Sequence, residues 1–165
     1  METGGAAADY PWIVTQPGDL ERSGGSRVMR VFFDTSAFVK RYVEEPGSKE
    51  VAEICMKAEH LALSIICLPE MISTLNRLVR EGKLTSDTYE HTRDLILREI
   101  EDVEICNLTP EAVARTIRCL ENNQLRAMDG IHLGCALTTE PDLFVSSDRQ
   151  QIEAARREGL EVMEV

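Results

Sequence analysis

The chain has 165 residues, 43% apolar and 28% charged, a balance that fits one globular domain with a full core. It excludes a disordered chain, a collagen-like repeat and a small disulfide-stapled scaffold. Asp and Glu number 29 against 18 Lys and Arg, and the net charge of −11 argues against non-specific nucleic-acid binding through a broad basic surface. It leaves room for an enzyme that meets nucleic acid through bound metal. The longest apolar run, Leu61 to Leu68, is broken by Ser64 and ends at Pro69, so no membrane span is expected. No basic stretch followed by an apolar one opens the chain, so no secretory leader is expected. The five cysteines (Cys55, Cys67, Cys106, Cys119, Cys135) form no C-x-x-C pair, which points to reduced thiols in a cytoplasmic protein rather than to a zinc site or disulfide framework.

Residues 1–27 are rich in small residues and carry the linker-like Ser23-Gly-Gly-Ser26; they are expected to be a poorly ordered extension, with residues 28–165 forming the domain. Val31-Phe32-Phe33 is a short continuous apolar strand of the kind buried on both faces of a parallel sheet. A helix is expected over Ser36 to Val43. After Pro46-Gly47, Ser48 is placed to N-cap a helix reaching about Ala58. Leu61 to Ile66 reads as a strand. Pro69, at a first helical position, opens a helix to about Glu81, whose apolar residues Met71, Ile72, Leu75, Leu78 and Val79 follow helical spacing.

A longer helix is expected from about Ser86 to Glu101, then a short strand at Val103 to Cys106. Thr109-Pro110-Glu111 is a helix start, with an N-cap hydroxyl, Pro at the first position and an acid in the first turn. That helix runs to about Asn122, and another covers Met128 to Thr138. Leu143-Phe144-Val145 is an apolar strand, Arg149 to Glu158 a helix stopped by Gly159, and Leu160 to Val165 a last edge strand. This alternation predicts a three-layer α/β/α sandwich with a mostly parallel central sheet.

Four acids fall where such a sheet places its crevice. Asp34 follows the first strand and Asp148 follows the strand at 143–145, both at carboxyl ends of parallel strands. Glu70 and Asp129 lie in the first turns of helices. Singly, each has a plain structural account: a helix cap, a turn residue, or a partner for the helix dipole worth about 0.3–1 kcal/mol. Asp129 resists that account most, because the Gly130 to Leu137 segment behind it is apolar nearly all round, and an acid at the mouth of a buried helix needs a partner or a cation. Four carboxylates round one crevice repel one another unless a divalent cation holds them, and oxygen-only ligands suit Mg²⁺ or Mn²⁺.

The strings Val31-Phe-Phe-Asp34-Thr-Ser36-Ala-Phe-Val-Lys40, Leu68-Pro-Glu70-Met-Ile-Ser, Leu125-Arg-Ala-Met-Asp129-Gly-Ile-His132-Leu-Gly and Phe144-Val-Ser-Ser-Asp148-Arg resemble, in order and spacing, the motifs of PIN domains of the VapC type. VapC-type proteins are the toxins of bacterial and archaeal toxin–antitoxin pairs. The resemblance covers about Met29 to Val165. It implies a metal-dependent endoribonuclease whose Asp34, Glu70, Asp129 and Asp148 bind Mg²⁺ or Mn²⁺ and carry the catalysis. It also implies supporting hydroxyls at Ser36 and Ser146, a cognate antitoxin partner, an RNA substrate and a homodimer. Gly130 stands where the pattern usually has Ala and Ser146 where it usually has Thr. His132 is read as structural or as a neighbour of the acids, and Thr35 as structural. Lys40, Arg41, Arg77 and Arg149 are near enough in sequence to the acids to hold RNA phosphates, and solvated surface is an equally good account of them. Two other functions compete: a catalytically idle PIN-like interaction module, against which all four intact acids speak, and a phosphoryl-transfer enzyme of the haloacid dehalogenase type. The latter wants a second Asp two residues after the first, where this chain has Ser36.

Overall fold

The computed structural model describes residues 29–165; the extension expected over residues 1–27 lies outside the described residues. Five strands form one sheet: β1 (Arg30–Phe33), β2 (His60–Ser64), β3 (Glu104–Cys106), β4 (Leu143–Ser146) and β5 (Val162–Glu164). Their order is β3-β2-β1-β4-β5 and every pairing is parallel. Seven α-helices accompany them among the described residues: α1 (Thr35–Phe38), α2 (Ser48–Lys57), α3 (Cys67–Arg80), α4 (Ser86–Glu99), α5 (Pro110–Asn122), α6 (Ala127–Thr139) and α7 (Arg149–Arg157).

The pleat explains the layers. Neighbouring residues of a strand point to opposite faces, so Phe32 and Phe33 enter different cores. On one face Val31, Phe33, Leu63 and Val145 pack with Val51 and Ile54 of α2, Met71 and Leu75 of α3 and Ile96 of α4. On the other, Phe32, Ala62 and Phe144 pack with Cys119 of α5, Leu133 and Ala136 of α6 and Ile152 of α7. Phe32 stacks on Phe144 across the β1–β4 pair with ring centroids 5.9 Å apart. The predicted α/β/α sandwich is thus the observed one, and its sheet is parallel throughout the described residues. All five thiols are free.

Several local expectations shift. The helix expected over 36–43 is α1 followed by a 3-10 turn at Val39–Arg41, because the Asp34 cap starts it one residue earlier and the turn tightens before it can continue. Gly47, not Ser48, occupies the N-cap of α2, with φ of 97°. A Cβ there would lie 2.7 Å from the Val165 carbonyl carbon, so glycine alone suits both the backbone and the close approach. Pro69 is the third residue of α3 rather than its first, a place where its missing N–H still costs no helical bond. The start at Thr109-Pro110 is as predicted: the Thr109 hydroxyl accepts from the Ala112 N–H at 3.1 Å.

Glycines in α6 set the packing of the helix that carries Asp129. A Cβ on Gly134 would stand 2.1 Å from Thr116 Oγ1 and 2.8 Å from the Ala112 carbonyl oxygen, so α6 presses directly on the α5 backbone. A Cβ on Gly130 would meet the Leu120 side chain at 2.7 Å, which is the local reason for Gly at this position.

Candidate active site

Parallel strands place all their carboxyl ends on one edge, and the helices that follow start there. Asp34 leaves β1 and N-caps α1; Asp148 leaves β4 and N-caps α7. Glu70 lies in the first turn of α3, and Asp129 is the third residue of α6. The structural roles that each acid could have alone are therefore real, and they decide which oxygen is occupied.

Asp34 Oδ1 accepts from Ser36 Oγ at 2.9 Å and from the Ala37 N–H at 3.1 Å. Glu70 Oε2 accepts from the Thr35 hydroxyl and from His132 Nε2, the latter at 2.7 Å. Asp129 Oδ2 reaches back to the Arg126 N–H at 3.2 Å. Asp148 Oδ1 accepts from the Gln150 and Gln151 N–H groups at 2.8 and 3.1 Å. In each carboxylate these bonds fall on one oxygen, and the second oxygen takes no part in them.

Two hydrogen-bonded clusters hold the four positions. Ser36 Oγ, bound to Asp34, also accepts from the Ser147 N–H at 2.9 Å and lies 3.5 Å from Ser146 Oγ. Ser146 Oγ accepts from the Asp148 N–H at 2.9 Å and donates to Gln151 Oε1 at 2.8 Å. Gln151 Nε2 in turn donates to the Asp129 carbonyl at 3.2 Å. On the other side, His132 contacts Glu70, lies 3.1 Å from the Thr35 hydroxyl and 2.7 Å from Ser64 Oγ through Nδ1. A carboxylate only accepts, so Nε2 carries the proton in the bond to Glu70, and Nδ1 is free to accept from Ser64.

The electrostatics differ from acid to acid. Burial pushes the Asp34 carboxyl above its usual value, against the opposing pull of His132 and the bonds from Ser36 and Ala37. Burial also raises Asp129, which the Arg126 N–H opposes and the Asp148 charge reinforces. For Glu70, burial is outweighed by the bonds from His132 and Thr35, so its carboxyl is lowered. Among the described residues, no three His, Cys, Asp or Glu side chains stand close enough together to hold a metal ion. The donor chemistry nevertheless suits a hard cation: four carboxylates, each anchored through one oxygen, and one of them buried at a cost in charge.

The basic residues divide. Lys40 Nζ donates to the backbone oxygens of Pro46 and Val165, both at 2.7 Å, and Arg41 Nε donates to Glu99 at 2.9 Å. Arg77 pairs with Glu81 one turn on, at 3.2 Å. Arg149 is exposed at the first position of α7, next to Asp148. Sequence reasoning missed Ser64 and Gln151 altogether. The buried Gln151 had one signal: it lies three residues after an N-cap Asp, where a side chain turns back toward the strand end. Ser64 had none beyond being a hydroxyl inside an apolar strand.

No curated protein matches the chain. Among solved structures, FitAcB from Neisseria gonorrhoeae is similar with a TM-score of 0.62 at 15% identity, over 81% of this chain and 96% of that one. A toxin–antitoxin complex from Klebsiella pneumoniae is similar at 0.60 and 15% identity, over 82% and 99%. VapC20 from Mycobacterium tuberculosis, described as a sarcin-ricin loop cleaving toxin, is similar at 0.60 and 14% identity, over 82% and 98%. At these identities the likeness speaks for the fold. A family model described as PIN domain matches residues 31–157, a span that runs from β1 through α7 and takes in all four acids. On that match, the chain belongs to the PIN domain family.

Proposed function

We propose that the protein is a metal-dependent endoribonuclease that hydrolyses RNA phosphodiester bonds in the cytoplasm and acts as the toxin of a type II toxin–antitoxin pair. The observation that carries this reading is the set of four acids on one sheet edge, each held by a single oxygen. Asp34, Glu70, Asp129 and Asp148 would draw together to hold Mg²⁺ or Mn²⁺ with their remaining oxygens, since no three of them stand at ligand spacing in the described residues. Such a cation, when bound, supplies Lewis acidity at the phosphate and a water acidic enough to act as nucleophile. Asp34, the one buried carboxylate of the four, is aimed by Ser36 and the α1 backbone. Glu70 is kept ionised by its bonds from His132 and Thr35, and so can orient a water by accepting its proton. The Ser36–Ser146–Gln151 chain holds β4 and α6 in register, which fixes Asp129 against Asp148. Arg149 is the cation best placed to meet a flanking phosphate.

The toxin role is supported by the solved toxin–antitoxin complex of the same fold. A cognate antitoxin would inhibit by placing an Arg beside the acids, where a planar guanidinium bridges two carboxylates. A homodimer is proposed as well; Met56 on α2 and Val113 and Ile117 on α5 are large apolar side chains left exposed, at 78%, 42% and 52%. Light scattering of the purified chain, with and without antitoxin, tests it, and a strict monomer in both would overturn it. The activity is tested with purified protein, a single-stranded RNA, and Mg²⁺ or Mn²⁺. Cleavage that appears with metal and disappears in excess EDTA and in Asp34→Asn supports the reading. Cleavage that survives both ends it, and no cleavage under any condition leaves the idle interaction module in its place.

A further inference from the structure

Beside Asp148 lies a concavity of about 510 Å³, walled by the C-terminal turn of α5, the loop into α6 and one side of α7. Its wall meets the site at Gln150, whose N–H donates to Asp148 Oδ1 at 2.8 Å. Gln150 in its wall follows Asp148 by two residues, and Gln124 precedes Asp129 by five. The walls present amide and carboxylate groups: Asn122, Gln124, Gln150 and Glu121 are exposed and make no side-chain hydrogen bond among the described residues.

The floor is built. Asn123 is buried, donates to the Cys119 carbonyl at 3.1 Å and to Glu158 at 3.4 Å, and accepts from Arg157 at 3.3 Å. Arg157 is the one cation among the residues lining the concavity, and it is shared between Asn123 and Glu153, 3.9 Å away. A phosphate would thus meet carboxylates and no free positive charge. An uncharged, hydrogen-bonding group fits instead. Amides offer a donor and an acceptor side by side, which is the pattern that reads a base edge, and a carboxylate adds an acceptor that selects for an exocyclic amine. Single-stranded RNA offers such edges when its bases are splayed out.

We propose that this concavity is a base-specificity subsite, in which Glu121, Gln124 and Gln150 take the base of a nucleotide next to the scissile phosphate and select adenine, cytosine or guanine over uracil. Uracil has no exocyclic amine, and its one base-edge donor, N3–H, lies between two carbonyls, so a carboxylate that takes it faces an acceptor on either side. The assignment rests on the ribonuclease reading above.

The experiment uses the full chain, Mn²⁺, and a library of single-stranded RNA with randomised sequence, sequencing the ends produced by wild type, Glu121→Ala and Gln124→Ala. These two side chains are exposed and hold no part of the fold together. Wild type should deplete uracil by roughly tenfold at one position beside the cut, the scale of one base-edge pairing. Both variants should still cut while that depletion fades. Cutting by wild type with no uracil depletion, or depletion that persists unchanged in both variants, overturns the subsite. So does loss of all cutting in the variants, since it would put these residues in the catalytic machinery. A wild type that does not cut the library at all fails the ribonuclease reading itself, and Asp34→Asn run alongside separates that failure from loss of specificity alone.

Discussion

Asp34 and Glu70 are held by side chains of Ser36, Thr35 and His132, with one backbone N–H added at Asp34; Asp129 and Asp148 are held by backbone N–H groups at helix starts alone. The first pair borders the buried His132, and Asp34 is itself only 4% exposed. The second pair is half-exposed, and the Asp148 charge raises the proton affinity of Asp129. In the first half Glu70 is specified by long-range side-chain partners and Asp34 by its own helix start in a dry setting. The second half is specified by half-exposed helix starts alone, whose bonds any Asp or Asn at those positions could accept. Stability and activity should separate differently in the two halves.

The largest effect is expected at Asp34. Asp34→Asn should lower cleavage by roughly a hundredfold or more, the scale of losing one group aimed at developing charge. It should leave the fold as stable as wild type or more so, because a buried charge is removed while an oxygen remains for Ser36 and Ala37. Melting temperatures in EDTA sharpen this. The Asp34 carboxyl is raised above its ordinary 3.8, so the folded chain holds its proton longer than the unfolded one, and stability falls as pH climbs through that window. Glu70, lowered from 4.5, has the opposite sign: its contribution is present above the unfolded value and is lost as pH falls through the folded one. As pH rises above 3.8 through the raised folded-state value, Asp34→Asn should gain on wild type. A constant difference across the range would show that Asp34 ionises in the fold as it does in water.

Three substitutions on α6 test how each half is positioned. Gly134→Ala drives a methyl into Thr116 and the α5 backbone, and should cost about 2–3 kcal/mol in urea unfolding. Gly130→Ala meets only the movable end of Leu120 and should cost less. His132→Ala opens a cavity, leaves the buried Ser64 without its side-chain partner and leaves Glu70 with the Thr35 hydroxyl alone, at about 2–4 kcal/mol. Its damage should be confined to the Asp34–Glu70 half: in a proton NMR spectrum the Asp148 cap amides of Gln150 and Gln151 should keep their shifts. Movement of those amides as large as that at Thr35 would mean that the two halves are one unit.

The smallest effect separates capping from chemistry at Asp148. Asp148→Ala should cost about 1 kcal/mol through the lost cap, whereas Asp148→Asn should cost almost nothing because Asn caps as well. Both should lose activity alike. Retained cleavage in Asp148→Asn would reduce Asp148 to its cap.

What the sequence determined by itself is what depends on neighbours along the chain. Val31-Phe-Phe and Leu143-Phe-Val are legible as buried parallel strands because every residue is apolar, and Thr109-Pro110 as a helix start because its bond spans three residues. The acids were legible for the same reason: each follows a strand or opens a helix, so its place on the sheet edge is a local matter. The tertiary structure alone decided the partners. His132 meets Glu70 across 62 positions and Ser64 across 68, and Ser36 meets Ser147 across 111. Lys40 looked available to RNA and is spent on the Val165 backbone oxygen, 125 positions away. Such pairings follow from the strand order β3-β2-β1-β4-β5, which sets β1 between two strands remote in sequence. A hydrogen bond requires contact, and contact between distant residues exists only once the chain has closed those loops and buried both faces of the sheet.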